Sequence, residues 1–516
     1  MPLPMDTPLV LDGSALSVAD VEAVARRRRA VVLGADARRR LAESRAALER
    51  RIGGGDAMYG INTGFGSLSR VRIESERLGD VQRNLIRSHA SGVGEPLPAD
   101  QTRALMLLLA ASLARGRSGV RPELVEAILA LLEHDILPVV PSRGSVGASG
   151  DLAPLAHVAL ALLGEGRARF AGAFEPVGRS YVALGLRPIE LRAKEGLALI
   201  NGTHLMTALG ALAIADLDRL LDAAIIAAAM AIDGCRATDA FLDERLHAAR
   251  RQPGPIAVAA ALRRLLDGST VLPAHRHDDP RVQDPYCLRA APQVLGAALD
   301  AIGAAQARLN DELGAVTDNP LVFVEGDRCD VVSGGNFHGL PIALPLDCLK
   351  IAITHVAGIA ERRVNWLLTA SDSENPVTAY LSPMPGLHSG YMIAQYAAAA
   401  CCNELQVLAH PASVHNLTTS AGIEDYNSFG PTSVHHLTEG IALARSVVAV
   451  ELLVMAEAME HQRPLRSGAA VEAAIEEIRS LVPRLEADRP PARDIATIER
   501  MIREGRMTVP FCWRAS

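Results

Sequence analysis

The chain has 516 residues, of which 49% are hydrophobic and 22% are charged, so it can form a large core and is neither disordered nor collagen-like. A net charge of −7 and an aromatic content of 3% argue against a nucleic-acid-binding protein, which is usually basic and offers aromatic rings for stacking. Lys194 and Lys350 are the only lysines, which leaves few candidates for a Schiff base. The seven cysteines include no C-x-x-C pair, and no metal site is predicted.

The N-terminal part alternates between helical patterns and loops. Residues 15–51 predict an arginine-rich helical region, whose basic runs 26–29 and 38–40 we interpret as solvated faces because their neighbours are alanine and glutamate. Residues 58–66 predict a loop, because three glycines in nine residues cannot form a stable helix. Residues 98–135 return to apolar residues spaced by three and four, which is typical of a helix.

The central and C-terminal parts carry the longest helical patterns. Residues 141–157 predict a loop that leads into a helix, with Asp151 near the helix N-terminus. Residues 205–232 are apolar nearly all round, as in a helix buried in a bundle core. Strand signals are sparse, and the clearest is a small hairpin between 321–324 and 330–332. Further helical stretches are predicted at 291–316, 341–370, 391–409 and 434–460, and in the tail 467–516 up to a break at 489–491.

These patterns predict a mainly α fold, a long-helix bundle with a loop-rich N-terminal part. We expect three successive parts: 1–205 with the glycine-rich loops, 206–466 as the central helix bundle, and 467–516 as a helical tail. The N-terminus lacks the basic-then-apolar layout of a signal peptide, and apolar runs such as 223–232 are too short to span a bilayer. The expected location is therefore the cytoplasm, without a membrane or nucleic-acid partner.

The most unusual stretch of the chain is G-S-V-G-A-S-G-D at 144–151. Its composition leaves three interpretations open: a phosphate-binding loop, a structural turn, and a self-processing tripeptide. A phosphate loop is disfavoured because no lysine follows the glycines and no βαβ unit surrounds them. A plain turn would make the protein a helical scaffold without chemistry.

The third interpretation is covalent. The nitrogen of Gly150 is unhindered, and in a tight turn it can attack the Ala148 carbonyl carbon two residues earlier, which closes a five-membered ring. Loss of one water from that ring and of a second from Ser149 would leave an exocyclic methylene on a conjugated ring. Such a group is a strong electrophile, a property that the standard side chains do not offer.

Six blocks of the sequence, in order, resemble motifs of the aromatic amino-acid ammonia-lyase family, and most closely those of its histidine-specific members. The resemblance runs from about Tyr59 to about Asn427, which is most of the chain. It implies the all-α lyase architecture of the aspartase and fumarase type. The blocks are Y-G-I-N-T-G-F-G at 59–66, G-S-V-G-A-S-G-D-L-A-P-L-A-H at 144–157, L-I-N-G-T at 199–203, V-Q-D-P-Y-C-L-R at 282–289, T-D-N-P-L at 317–321 and S-G-G-N-F-H at 333–338.

The resemblance implies that Ala148, Ser149 and Gly150 form 4-methylidene-imidazol-5-one (MIO) autocatalytically, with no external cofactor. It also implies the reaction, which is loss of ammonia from an L-amino acid to give an α,β-unsaturated acid. Tyr59 is then the base that removes the weakly acidic β-proton, which requires a stabilised phenolate because a free tyrosine has a pKa of roughly 10. Asn201 would donate to the ring oxygen of the electrophile.

Other residues receive roles from the same resemblance. Arg289 is similar to the family's clamp on the substrate carboxylate, since a planar guanidinium suits two carboxylate oxygens. Tyr286 and Gln283 would form hydrogen bonds near the substrate and the base, and Tyr286 is counted among the catalytic residues. Phe337 would form a wall of the pocket. The family also implies a homotetramer in which each active site is assembled from three subunits.

Substrate choice depends on the groups that face the side chain of the amino acid. Ser88 and His89 match a Ser-His pair of the histidine-specific members, and Met392 and Glu424 match two more residues of their imidazole pocket. A carboxylate and a histidine can both hydrogen-bond an imidazole, whereas beside a phenyl ring Glu424 would be a buried, unpaired charge. The predicted reaction is therefore conversion of L-histidine to trans-urocanate, with Glu424 counted among the catalytic residues.

Two departures from the family pattern keep an alternative open. Ile423-Glu424-Asp425-Tyr426 stands where the histidine-specific members usually have Gln-Glu-Asp-His, and 371–388 also differs from their pattern. An added isoleucine or tyrosine near the side-chain pocket would admit another aromatic amino acid. The alternative is a tyrosine or phenylalanine ammonia-lyase, or a related aminomutase that adds the ammonia back.

Overall fold

The structure, a computed structural model, describes residues 7–53, 58, 60–64, 72–277, 279, 281–370, 375 and 377–514. Helices dominate it, and the predicted mainly α fold class is confirmed. The helices are α1 Val18–Arg27, α2 Ala35–Gly53, α3 Leu78–His89, α4 Ala99–Ala114, α5 Pro122–Glu133, α6 Leu152–Leu162, α7 Val177–Leu184, α8 Glu195–Ile200, α9 His204–Gly234, α10 Glu244–Arg250, α11 Pro253–Leu265, α12 Val271–Ala274, α13 Tyr286–Arg289, α14 Ala291–Leu313, α15 Leu340–Leu368, α16 Met392–Leu408, α17 Gly430–His461, α18 Ala469–Arg479 and α19 Ala492–Arg503.

The strands are short and form four small sheets in the described part of the chain. The strands are β1 Leu9–Leu11, β2 Val31–Leu33, β3 Val93–Pro96, β4 Leu137–Pro138, β5 Pro141–Arg143, β6 Arg167–Phe170, β7 Ala173–Pro176, β8 Leu321–Glu325 and β9 Arg328–Val332. β1 pairs with β2 in parallel, and the remaining pairs, β3 with β5, β4 with β6, β6 with β7, and β8 with β9, are antiparallel. The predicted hairpin is confirmed as β8 and β9, with Leu321 opposite Val332.

The helical region predicted over 15–51 is interrupted. Ser17 and Asp20 form a capping box that starts α1, and Arg28, with a φ of +57°, ends it in the left-handed conformation. β2 follows and pairs with β1 before α2 begins. The region 98–135 likewise splits into α4 and α5, because Pro122 occupies the first turn of α5 and fits a helix start.

The long apolar patterns become long helices. α9 is buried along nearly its whole length, as its all-round apolar sequence predicts. In the described part of the chain, a single helix, α15, is long and apolar enough to cross a membrane. Because 61% of its most apolar window is buried inside the folded chain, it also has the properties of a core helix.

Contacts divide the chain into two compact units, each built from segments that lie far apart in sequence. The first unit consists of Met1–Ala215, Ala305–Leu346 and Ala412–His435. Within it α4 packs against α1 and α5, and α3, α6 and α8 pack against one another. Lys194 Nζ and Asp318 Oδ2 form a fully buried ion pair 2.6 Å apart, which joins the start of α8 to the segment before β8.

The second unit consists of Asp216–Ala304, Asp347–Pro411 and His436–Ser516. Here α11 packs against α10 and α18. Arg363 and Glu451 form a second ion pair with both side chains fully buried, and Arg363 Nη2 lies 3.0 Å from Glu451 Oε2. The division of the chain into three successive parts, 1–205, 206–466 and 467–516, stays a prediction.

Candidate active site

The loop between β5 and α6 is fixed by contacts with the residues that precede α17. Phe429 N donates to Val146 O over 2.9 Å, and the Ser428 hydroxyl donates to Gly147 O over 2.8 Å. Gly147 has a φ of +66°, and a Cβ there would overlap the Ser428 hydroxyl. Only glycine satisfies both constraints, so this position explains one of the loop's unusual glycines.

Gly150 turns the chain against a second glycine, Gly202. Gly150 has a φ of +76° and Gly202 a φ of +131°, and the two are joined as a parallel bridge. Asp151 N donates to Gly202 O over 2.7 Å. A Cβ on Gly150 would overlap the Gly202 backbone. The fold therefore requires glycine at position 150.

Asn201, between α8 and α9, contacts the centre of the tripeptide. Its Nδ2 donates to the Ser149 carbonyl oxygen over 3.1 Å. Its Oδ1 is buried and has no hydrogen-bond partner in the described chain. Ala148 is buried, while Ser149 is half-buried. A donor held in this position stabilises negative charge that develops on the Ser149 carbonyl oxygen.

Asp151 connects the loop to the N-terminus of α9. Asp151 Oδ1 accepts from the Ser145 hydroxyl over 2.9 Å, and Oδ2 accepts from the backbone N–H groups of Leu205 and Met206 over 2.8 and 3.1 Å. These N–H groups belong to the first turn of α9 and would otherwise lack partners. Burial raises the pKa of Asp151 to about 6 in spite of these bonds. The sequence predicted only that Asp151 begins α6.

A cavity of about 600 Å³ opens beside the tripeptide. Its charged lining side chains are the carboxylates of Glu424 and Asp425, and no lysine or arginine is among the lining residues, so it does not suit a phosphate. In the described residues no group of three or more His, Cys, Asp or Glu could hold a metal ion. The lining residues are Ala148, Ser149, Asn201, Asn319, Ser333, Gly334, Phe337, His338, Ile423, Glu424, Asp425 and Tyr426.

One wall of the cavity is fixed by Thr419 and by His338. Thr419 N donates to Glu424 O over 2.8 Å. His338 Nε2 lies 3.1 Å from Tyr426 O, and its Nδ1 accepts from Leu340 N over 3.4 Å, which assigns the ring proton to Nε2. The rings of His338 and Tyr426 stack with centroids 6.2 Å apart. The wall thus presents the carboxylates of Glu424 and Asp425 and the rings of His338 and Tyr426.

Ser88 and His89 lie at the end of α3 and are not among the residues that line the cavity. The Ser88 hydroxyl lies 3.0 Å from His89 Nδ1, which is 2.9 Å from Leu85 O. Burial lowers the pKa of His89, while the Leu85 carbonyl and the charge of Glu424 oppose that shift. His89 therefore lies close enough to Glu424 to feel its charge.

Four predicted site residues belong to the second unit: Gln283, Tyr286, Arg289 and Met392. Arg289 Nε donates to Asp284 O over 2.9 Å, and its guanidinium lies 4.4 Å from the centre of the Tyr286 ring. The terminal nitrogens of Arg289 make no hydrogen bond within the described chain, which leaves them available to a carboxylate. Gln283 and Tyr286 are exposed, and Met392 begins α16 half-buried.

Tyr59 lies outside the described residues, as do positions 371–374 of the divergent segment. Its neighbours in the predicted loop are described: Met58 N donates to Asn62 Oδ1 over 2.7 Å, and Gly60 N donates to Thr63 Oγ1 over 3.2 Å. The role of Tyr59 therefore stays a prediction.

Several lining residues were not singled out by the sequence. Asn319 is nearly buried, and its Oδ1 accepts from Gly334 N over 2.7 Å, which joins two of the six sequence blocks. His338 ends the block that contains Phe337. Their membership of T-D-N-P-L and S-G-G-N-F-H was the available signal, but the motifs do not say which members face the cavity.

The chain is similar to known proteins over most of its length. Residues 16–480 match the family described as aromatic amino acid lyase. Histidine ammonia-lyase of Sorangium cellulosum is 48% identical over 503 residues, which cover 96% of this chain and 97% of that protein.

Two solved structures are similar to the whole chain. Histidine ammonia-lyase from Trypanosoma cruzi has a TM-score of 0.90 at 36% identity, covering 97% of this chain and 94% of that one. A tyrosine aminomutase from Streptomyces globisporus has a TM-score of 0.91 at 34% identity, covering 97% and 98%.

Proposed function

This chain belongs to the aromatic amino acid lyase family, and we propose that it eliminates ammonia from L-histidine to give trans-urocanate. It is a carbon–nitrogen lyase. The observation that carries the choice of substrate is that one cavity brings Ser149 together with Glu424. A carboxylate that lines the same cavity as the tripeptide suits the N–H of an imidazole and not a phenyl ring.

We propose that Ala148, Ser149 and Gly150 form MIO. The Gly150 nitrogen bonds to the Ala148 carbonyl carbon, whose oxygen leaves as water, and Ser149 loses its hydroxyl and α-hydrogen as a second water. The residues present fit this group, because Gly150 is held at a positive φ against Gly202 and Asn201 donates to the Ser149 carbonyl. MIO would supply the electrophile that makes the substrate amine a good leaving group.

The other groups of the first unit hold the substrate and the loop. The carboxylate of Glu424 would accept a hydrogen bond from the imidazole of the substrate, next to His89. Asp151 keeps the loop on the N-terminus of α9. Tyr59 would take the β-proton from the substrate, which requires a phenolate within reach of that carbon.

We further propose a homotetramer in which other copies of the chain supply Gln283, Tyr286, Arg289 and Met392. The exposed position of Tyr286, and the unbonded terminal nitrogens of Arg289, support this role in binding the substrate carboxylate. A cytoplasmic location is proposed with it.

A tyrosine or phenylalanine lyase or aminomutase is the second candidate, favoured by Ile423 and Tyr426 in the cavity wall and by the likeness to a tyrosine aminomutase. A panel assay separates the two. L-histidine, L-tyrosine and L-phenylalanine are incubated separately with the enzyme, the unsaturated acid is followed by ultraviolet absorbance and any β-amino acid by chromatography. We expect turnover of L-histidine alone; turnover of L-tyrosine without L-histidine would overturn the assignment.

A further inference from the structure

A second cleft in the first unit, of about 560 Å³, gathers unpaired arginines. We call it the arginine cleft; its lining residues include Arg40 and Arg50 on α2, Arg115 and Arg117 after α4, and Val322 and Val324 on β8. It shares no lining residue with the cavity beside Ser149. The helix and the hairpin that form it pack against each other.

Acidic groups of the described chain balance only part of the charge of this cleft. None of Arg40, Arg50, Arg115 and Arg117 forms an ion pair with a carboxylate in the described residues, although most arginines near them do, such as Arg38 with Glu126. Glu43 is the acidic side chain among the lining residues. Positive charges gathered around one space repel each other unless an anion lies between them.

Two of these arginines are held by groups without a charge, Arg115 by backbone carbonyl oxygens and Arg117 by an aromatic ring. Arg115 donates to the carbonyl oxygens of Leu313, Ser14 and Ala315 over 2.7, 3.1 and 3.2 Å. The guanidinium of Arg117 lies 5.2 Å from the centre of the Phe323 ring. These contacts orient the side chains without neutralising them, and burial lowers the pKa of Arg115 as expected of a cation without a carboxylate partner.

We propose that the arginine cleft binds a small, multiply charged anion of the phosphate class. Phosphate oxygens accept from guanidinium forks in pairs, which suits the exposed guanidinium groups of Arg50 and Arg117. The space exceeds that of a single phosphate ion, and the partly exposed side chain of Val324 suits the organic part of a phosphorylated metabolite. The site lies outside the cavity proposed for catalysis and does not depend on the substrate assignment.

Calorimetric titration of the full-length enzyme with pyrophosphate tests this proposal. We expect binding that weakens with added sodium chloride and a higher melting temperature in the complex. Arg50→Gln and Arg117→Gln should each weaken binding by about tenfold, since each removes a charge-assisted contact from an exposed side chain.

The control is Arg38→Gln, which removes the same charge from α2 but at an arginine that is paired with Glu126 and does not line the cleft. It should bind pyrophosphate like the unchanged protein. The proposal is overturned if pyrophosphate does not bind at millimolar concentration, or if Arg38→Gln weakens binding as much as Arg50→Gln. Melting curves of each variant establish that it is folded.

Discussion

The side-chain amide of Asn201 donates to the Ser149 carbonyl oxygen over 3.1 Å, while Oδ1 of the same amide is buried without a partner in the described chain. Because the donor acts where negative charge develops, Asn201→Ala should lower kcat for L-histidine by about 100-fold. Steady-state kinetics measure this effect, with the exposed Asn403→Ala as the matched control. Equal kcat values in the two variants would remove Asn201 from the catalytic group.

Gly150→Ala should prevent both ring formation and turnover, because the new Cβ would overlap the Gly202 backbone. Gly172→Ala is the control: Gly172 also has a positive φ, +84°, but has no atom within 4 Å of the added Cβ. The control should lose stability only and keep its activity. Mass spectrometry and kinetics of the two variants check this prediction, which fails if Gly150→Ala retains turnover.

Glu424→Gln should reduce kcat/KM for L-histidine by at least about tenfold, since a neutral amide is a weaker acceptor for the imidazole N–H than a carboxylate. Asp425→Asn changes charge at the neighbouring, exposed position of the same wall and should have a smaller effect. If Asp425→Asn lost more of its kcat/KM for L-histidine than Glu424→Gln, substrate recognition would belong to Asp425 and not to Glu424.

His204 makes folding stability depend on pH. Burial lowers its pKa to about 3, helped by the charge of Arg115, and neither ring nitrogen has a partner in the described chain. Below the unfolded pKa of about 6.5, the unfolded state binds a proton that the folded state does not. Above pH 6.5 the titration of His204 leaves the free energy of unfolding unchanged. Below pH 6.5 it lowers that free energy by about 1.4 kcal/mol per pH unit as the pH decreases towards 3.

His204→Gln should flatten this dependence, which unfolding curves at pH 7 and pH 5 would show as a smaller loss of stability than in the unchanged chain. His134→Gln, at an exposed histidine, should leave the loss as it was. Identical losses for His204→Gln and the unchanged chain would contradict the burial argument.

The sequence predicts those parts of the fold that depend on local periodicity. The sequence predicts the bounds of four long helices to within a few residues, because the spacing of apolar residues along a helix is a local property of the sequence. These helices are α9, α14, α15 and α17. The interruption between α1 and α2 was missed, because a non-glycine residue, Arg28, ends α1 in the left-handed conformation and the pairing of β1 with β2 is non-local.

The candidate site is likewise predictable from local motifs only in part. Motifs placed Ala148, Ser149, Asn201, Phe337 and Glu424 in one site, and the structure brings them together around one cavity. The stacking of His338 on Tyr426 joins residues 88 positions apart and has no local signal. The sequence alone favours a solvated face for the basic run 38–40. In the structure Arg40 lines the arginine cleft beside Arg117, which is distant from it in sequence.

The central claim is that the chain builds its own electrophile from Ala148, Ser149 and Gly150. Intact-mass measurement of the purified protein, followed by peptide mapping, tests it most directly. We predict a deficit of two water molecules located in 148–150 and absent from Ser149→Ala, which should also be inactive. A full-mass, unmodified tripeptide in a preparation that still converts L-histidine to trans-urocanate would contradict the account.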